Sequence, residues 1–130
     1  MVRIFIVVGA LAGLLAVVLG AFAAHGLKGQ ISTDLLVAFN TGAQYQMYHA
    51  LALLLVAILL KFYPGHRLLL WSGLLFIVGI LFFSGSLYAL ALTGIKWFGP
   101  VTPMGGLCFM LGWLLLACAA IKFKPLGPGD

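Results

Sequence analysis

Few side chains in this 130-residue sequence could take part in chemistry, and most of them are suited to binding rather than to reaction. There are three histidines, four tyrosines and two cysteines, but only two acidic residues, Asp34 and Asp130. The sequence contains no pair of carboxylates, no Ser-His-Asp set and no phosphate-binding loop. The residue types therefore predict a protein that is not an enzyme.

A concentration of polar residues lies between positions 40 and 49. At about 100° per residue, one half of a helical wheel carries Asn40, Thr41, Gln44, Tyr45, Tyr48 and His49. Gln46 lies apart from this stripe. If the segment crosses a membrane, His49 is an ionisable residue in hydrocarbon and a candidate for function. The alternative is structural: the stripe hydrogen-bonds a facing layer of Ser84, Ser86 and Tyr88 and fixes which helices are neighbours.

Metal or haem binding is a second chemical interpretation. Five residues are of types that can ligate copper or haem: His25, His49, Met47, Met104 and Cys108. Their spacing matches no metal motif, so we predict no metal site and no cofactor. A metal-, haem- or quinone-binding redox protein is a less favoured function.

The composition of the chain predicts the membrane-spanning helices that position these residues. Hydrophobic residues make up 65% of the chain and charged residues only 7%, which predicts a membrane protein. Four apolar stretches, at about 4–24, 43–62, 68–92 and 103–121, are each long enough to cross roughly 30 Å of hydrocarbon as a helix. The net charge of +5 does not indicate nucleic-acid binding, because the basic residues are scattered singly between the spans.

The expected fold class is all-α, a single domain formed by a four-transmembrane-helix bundle. The first outer loop, about 25–42, should contain a short interfacial helical segment that runs into the second span. Ser32 or Thr33 can cap this segment, and Asp34 complements the helix dipole in its first turn.

Basic residues predict the orientation of the spans. One side of the membrane receives five positive side chains and the other receives Lys28 and Lys96. The five are Arg3, Lys61, Arg67, Lys122 and Lys124. The excess of positive charge places both termini in the cytoplasm. The tail from Lys122 to Asp130 is expected to anchor at the lipid surface and then end without helix, because it is rich in Pro and Gly.

Small residues form stripes on three of the spans. They are Gly9, Gly13, Ala16, Gly20 and Ala24 in the first, Ser72, Gly79 and Ser86 in the third, and Gly105, Gly112 and Ala119 in the fourth. Such stripes let helix backbones approach closely in lipid. We assign them to packing within one chain, with a homo-oligomer as the less favoured alternative.

Four segments carry a resemblance to a known family: GAFAAHGL at 20–27, QYQMYHA at 44–50, FSGSLY at 83–88 and GPVTPMGG at 99–106. They resemble the signatures of the YgdD/YwdK-like family, small bacterial inner-membrane proteins of unknown function. The resemblance covers essentially the whole chain. It implies four spans and a bacterial inner-membrane location, and it supplies no activity, substrate or cofactor.

The four segments should all meet at the outer end of the bundle. We predict a polar binding site there formed by His25, Gln44, Tyr45, Tyr48, His49, Ser84, Ser86, Tyr88, Thr102 and Gly105. Its apolar floor would come from Phe22, Phe83 and Met104, as small-molecule sites require. Thr102 is expected to cap the fourth helix, with Pro103 in its first turn, and this helix end beside His25 and Lys96 would suit an anion or a lipid headgroup. Full pairing of these side chains without a pocket is the alternative.

The favoured function is that of a non-enzymatic membrane protein, either an accessory or assembly subunit or a small binding protein. Its partners would be the lipid bilayer and either a membrane protein or a lipid-like ligand at the outer site. An oligomeric channel or transporter for a small solute is the alternative function.

The orientation can be tested by cysteine labelling in whole cells. On a background without Cys108 and Cys118, a membrane-impermeant thiol reagent added from outside should label Gln30→Cys but not Leu126→Cys, because the positive-inside distribution keeps the C-terminus in the cytoplasm. External labelling of Leu126→Cys would reverse the orientation.

Overall fold

The computed structural model describes residues 1–124, which are helical and contain no strand. Four helical stretches are long and apolar enough to cross a membrane: Val2–Leu27, Thr33–Phe62, Arg67–Thr93 and Lys96–Ile121. The expected all-α fold with four spans is confirmed. The Pro- and Gly-rich part of the expected tail, residues 125–130, lies outside the described residues.

The individual helices are α1 (Val2–Phe22), α2 (Thr33–Phe62), α3 (Arg67–Gly79), α4 (Gly85–Thr93) and α5 (Val101–Ile121). A π-helical turn, Ala23–Leu27, extends α1, and a second one, Ile80–Ser84, joins α3 to α4. A 3-10 turn, Lys96–Phe98, precedes α5. The bundle has two ends. We call the end with residue 1, the turn at 63–66 and residue 124 the terminal end, and the end with the segments 28–32 and 94–100 the loop end.

Helix α2 begins where the capping residues place it. The Ser32 side chain accepts a hydrogen bond from the Leu35 backbone N–H at 3.3 Å, and Asp34 lies in the first turn. Thirty residues rise about 45 Å, which exceeds the roughly 30 Å hydrocarbon thickness of a bilayer. The segment expected in the first loop is the start of α2, which runs on into the second span as predicted.

Small residues bring the helices together in two close pairs, α1 with α2 and α3 with α5. A Cβ atom on Gly9 would lie 3.1 Å from the backbone oxygen of Ala50, so α1 and α2 touch almost backbone to backbone. Between α3 and α5, the ring of Phe109 covers Gly79, and the ring of Phe76 would lie 2.6 Å from a Cβ on Gly112. These stripe glycines thus serve packing within the chain.

Serines add hydrogen bonds at the same contacts. The Ser72 hydroxyl donates to the backbone oxygen of Gly112 at 2.8 Å, which joins α3 to α5. The Ser84 hydroxyl donates to the backbone oxygen of Gly42 at 2.7 Å, which joins the second π turn to α2. Both serines are fully buried, and both acceptors are backbone oxygens of glycines.

Gly105 and its neighbour Gly106 allow a matched test of this packing. A Cβ on Gly105 would overlap the backbone of Phe83, whereas a Cβ on Gly106 would lie 3.8 Å from the Phe83 ring in ordinary contact. We expect Gly105→Ala to lower the free energy of unfolding by about 1–3 kcal/mol, because two helix backbones must separate. Gly106→Ala should change it by no more than about 0.5 kcal/mol. Denaturation in detergent measures both, and equal effects would contradict the packing described.

Candidate functional site

An open groove runs between α2, the second π turn and α5. We call it the aromatic groove, and its lining is Tyr45, Tyr48, His49, Phe83, Gly106, Phe109, Met110 and Trp113. Its volume is about 580 Å³. Since Tyr48 and Met110 are 54% and 62% exposed, the groove opens sideways, toward the surface that faces lipid.

His49 lies at the base of the aromatic groove with both ring nitrogens engaged. Its Nδ1 is 2.7 Å from the backbone oxygen of Tyr45, and a carbonyl oxygen only accepts, so Nδ1 carries a proton. The Trp113 indole N–H only donates, and it lies 3.1 Å from Nε2, so Nε2 is the unprotonated acceptor. The hydrogen-bond partners thus assign a neutral imidazole in a single tautomer.

Stacking holds the same ring in place. The rings of His49 and Phe109 are parallel within 6°, with centroids 3.5 Å apart. Tyr45 packs on Phe83 at 4.7 Å and extends the aromatic surface toward the loop end. Packed aromatic rings therefore form the base of the groove.

This arrangement bears on the chemistry available to His49. A proton relay or a metal ligand needs a free ring nitrogen, and His49 would have to break the bond to Trp113 to provide one. Among residues 1–124, no three His, Cys, Asp or Glu side chains lie close enough to hold a metal ion together. In this geometry His49 orients its neighbours and shapes the groove.

Gln46 is the second buried polar residue of α2, and it bridges three helices. Its Nε2 donates to the backbone oxygen of Ala12 in α1 at 2.8 Å. Its Oε1 accepts from the Tyr88 hydroxyl of α4 at 2.7 Å. The Tyr88 ring passes over Gly42, one turn before Gln46, where a Cβ would come within 2.9 Å of it. The missing side chain at Gly42 is what allows the hydroxyl to reach the amide.

A second groove, between α1 and the third span, is less suited to recognition. Its volume is about 420 Å³, and its lining is apolar except for Gln46 and Tyr88. Because those two side chains are hydrogen-bonded to each other, they offer little to a ligand.

The ten residues expected at one outer site are distributed over several places. Tyr45, Tyr48 and His49 line the aromatic groove. Ser84 pairs with Gly42, and Tyr88 pairs with Gln46. His49 does hydrogen-bond to another helix, but its partner is Trp113 of α5 and not the expected Ser84 or Ser86.

The remaining expected residues lie outside the aromatic groove. The Ser86 hydroxyl donates to the backbone oxygen of Phe83 at 2.9 Å and accepts from the Thr102 hydroxyl at 2.6 Å. Gly105 is buried against Phe83. His25 and Gln44 are exposed, and neither makes a side-chain hydrogen bond within the part of the chain that the structure describes.

Two local expectations also need correction. Thr102 does not cap α5, because that helix begins at Val101 and Thr102 already lies in its first turn, next to Pro103. The expected floor is only partly correct. Phe83 lines the aromatic groove, whereas Met104 is 59% exposed and Phe22 packs edge-on against Phe39.

The sequence analysis does not identify three residues that form contacts between the helices: buried Gln46 and Phe109, and Trp113, which is 45% exposed. Gln46 was set apart because it falls outside the polar stripe, yet a lone amide among apolar residues in a span should face the interior. Trp113 lies about 18 Å along α5, far from the interface where tryptophan is common, so its indole N–H needs a partner inside the bundle. Phe109 carries no comparable signal.

Comparison with known proteins gives the family. The family model described as "Protein of unknown function (DUF423)" matches residues 19–106, which include all four of the segments that carried the resemblance. The chain belongs to the DUF423 family. No solved structure matches this DUF423 chain significantly.

The relatives of this DUF423 chain are of similar length. The UPF0382 membrane protein YwdK of Bacillus subtilis (strain 168) is 46% identical over 121 residues, which cover 93% of this chain and 98% of that one. The UPF0382 membrane protein SERP0230 of Staphylococcus epidermidis is 44% identical over 123 residues, with the same coverage of both chains. The expected family is confirmed, and with its four spans the DUF423 chain is a multi-pass membrane protein.

The pairing of His49 with Trp113 can be tested by removing the donor. Trp113→Phe leaves Nε2 of His49 without a partner and should lower the free energy of unfolding by about 1 kcal/mol. Trp71→Phe makes the same change at a side chain that is 59% exposed and should be near neutral. In a His49→Ala background the cost of Trp113→Phe should fall, and an undiminished cost would show that the two side chains are not coupled.

Proposed function

We propose that this protein is a non-enzymatic membrane protein that binds a lipid-like molecule with a planar ring in the aromatic groove. The observation that carries the proposal is the groove itself, about 580 Å³ in volume, lined by aromatic rings and open toward lipid. Sites for small molecules combine such an apolar lining with a few placed polar groups.

The polar groups available to such a ligand are the hydroxyls of Tyr45 and Tyr48. Neither makes a hydrogen bond among residues 1–124, and both side chains are partly exposed at the groove. They can donate to a ring carbonyl, and the partly exposed rings of Tyr45 and Tyr48 offer aromatic surface to the ligand. A ligand of this kind enters from the bilayer and needs no aqueous path.

Three further features belong to the proposal. The absence of an acid near the groove in the described residues favours binding over catalysis, since Asp34 lies at the loop end in the first turn of α2. The basic residues favour the bacterial inner membrane with both termini in the cytoplasm. The sideways opening favours an accessory role, in which a partner membrane protein receives the bound molecule.

Binding can be measured through Trp113 itself. In a Trp71→Phe/Trp97→Phe background, Trp113 is the only fluorophore of its type, and it lines the groove. A short-tailed benzoquinone in detergent should quench it saturably. Tyr45→Phe/Tyr48→Phe should weaken binding about tenfold or more, since each lost hydrogen bond costs on the order of 1 kcal/mol.

Two glycine variants provide the matched control. Gly106→Leu places a side chain in the groove and should abolish saturable quenching, whereas Gly20→Leu, on α1 with no atom within 4 Å of a Cβ, should not. Quenching that rises linearly, or is equal in both variants, reflects partition into the detergent and contradicts the proposal. Solute flux through proteoliposomes would favour the alternative of a channel.

A further inference from the structure

A second polar concavity lies at the terminal end of the bundle, away from the aromatic groove. We call it the basic turn pocket, and its lining is Tyr63, Pro64, Gly65, His66, Lys122 and Lys124. Its volume is about 280 Å³. The turn between α2 and α3 forms one wall, and the end of α5 brings the two lysines to the other.

An aromatic contact holds these two walls together. The Phe123 ring is parallel to the Tyr63 ring within 5°, with centroids 4.0 Å apart, and it meets the His66 ring edge-on at 5.7 Å. The Tyr63 hydroxyl also donates to the backbone oxygen of Lys124 at 3.4 Å. Phe123 is therefore a positioning residue, since its neighbours Lys122 and Lys124 are held beside the turn.

The charges of the basic turn pocket are not balanced by the described part of the chain. Of the two acidic residues, the one within residues 1–124 is Asp34, at the opposite end of the bundle. Within residues 1–124, two lysines therefore line one small concavity without a carboxylate partner. An anion would compensate them.

His66 provides a second observation at this pocket, independent of the lysines. It lines the pocket, and its Nδ1 is buried with no hydrogen-bond partner within the described residues. A buried nitrogen left unsatisfied is rare in proteins, and a bound ion is one of its ordinary explanations. His66 is also the N-cap of α3 and makes no capping bond, so the positive end of the α3 dipole begins next to the pocket.

We infer that the basic turn pocket binds the phosphate group of an anionic lipid headgroup. The pocket lies at the end of the second and fourth spans, where a lipid phosphate also lies, and two lysines supply the donors. Phosphate suits this set because it accepts several charge-assisted hydrogen bonds at once. This site is separate from the aromatic groove and does not depend on what binds there.

The test uses short-chain lipids that dissolve as single molecules. Dihexanoyl-phosphatidylglycerol, titrated into the full chain in neutral detergent and followed by isothermal calorimetry, should bind saturably. Dihexanoyl-phosphatidylcholine should bind more weakly because its choline offsets the charge. Lys122→Gln/Lys124→Gln should weaken phosphatidylglycerol binding on the order of 30-fold, since each lysine contributes roughly a factor of five near an anionic surface. Lys122→Arg/Lys124→Arg should retain binding.

The matched control removes the same charge at the same end, outside the pocket. Arg3→Gln/Lys61→Gln should weaken binding by no more than about threefold, since both side chains are exposed and line no part of the pocket. Equal losses in the two double variants would mean diffuse surface charge and would overturn the proposal.

Two further measurements test the positioning role of Phe123 and the source of the phosphate group. Phe123→Ala should weaken binding without any change of charge, and retained binding in this variant would contradict the role given to Phe123. Competition by inorganic phosphate at millimolar concentration would assign the site to free phosphate, whereas its failure to compete would assign it to the lipid headgroup. An unchanged thermal midpoint verifies that each variant is folded.

Discussion

A polar group buried in hydrocarbon must find its hydrogen-bond partner inside the protein, and the arrangement of this bundle depends on that constraint. Gln46 meets it by joining α1 and α4 to α2, and Ser72 and Ser84 meet it across two other contacts. These hydrogen bonds make the choice of helix neighbour specific. Apolar packing alone does not, because an apolar side chain such as leucine contacts lipid tails as favourably as it contacts another helix. The polar residues therefore select the helix neighbours, and the small residues allow the approach.

The aromatic groove is a consequence of the same constraint. The indole N–H of Trp113 and Nε2 of His49 satisfy each other, so neither is left to hydrogen-bond a ligand. What remains at the surface is a rigid wall of rings with two tyrosine hydroxyls. Such a wall is preorganised, since the stack of His49 on Phe109 is held by hydrogen bonds on both sides of the imidazole.

Sequence alone predicts the spans and the start of α2, because both depend on local signals. Hydrocarbon thickness and charge-free runs define a span, and a serine followed by an aspartate defines a helix start. Helix partners were harder to predict, because the acceptors for Gln46, Ser72 and Ser84 are backbone carbonyls, which every residue has. The π turn Ile80–Ser84 adds a further difficulty, since a wheel at about 100° per residue does not carry across it.

Because the acceptors are backbone carbonyls, the donor and acceptor positions of these hydrogen bonds tolerate different substitutions. No substitution at Ala12, Gly42 or Gly112 can delete a carbonyl oxygen, so these positions fail only when a larger side chain drives the helices apart. At Gln46, Ser72 and Ser84 the opposite holds, since an apolar residue of similar size fits and yet loses the bond. Sequence change in this bundle is thus limited by side-chain volume at the acceptor positions and by side-chain chemistry at the donor positions.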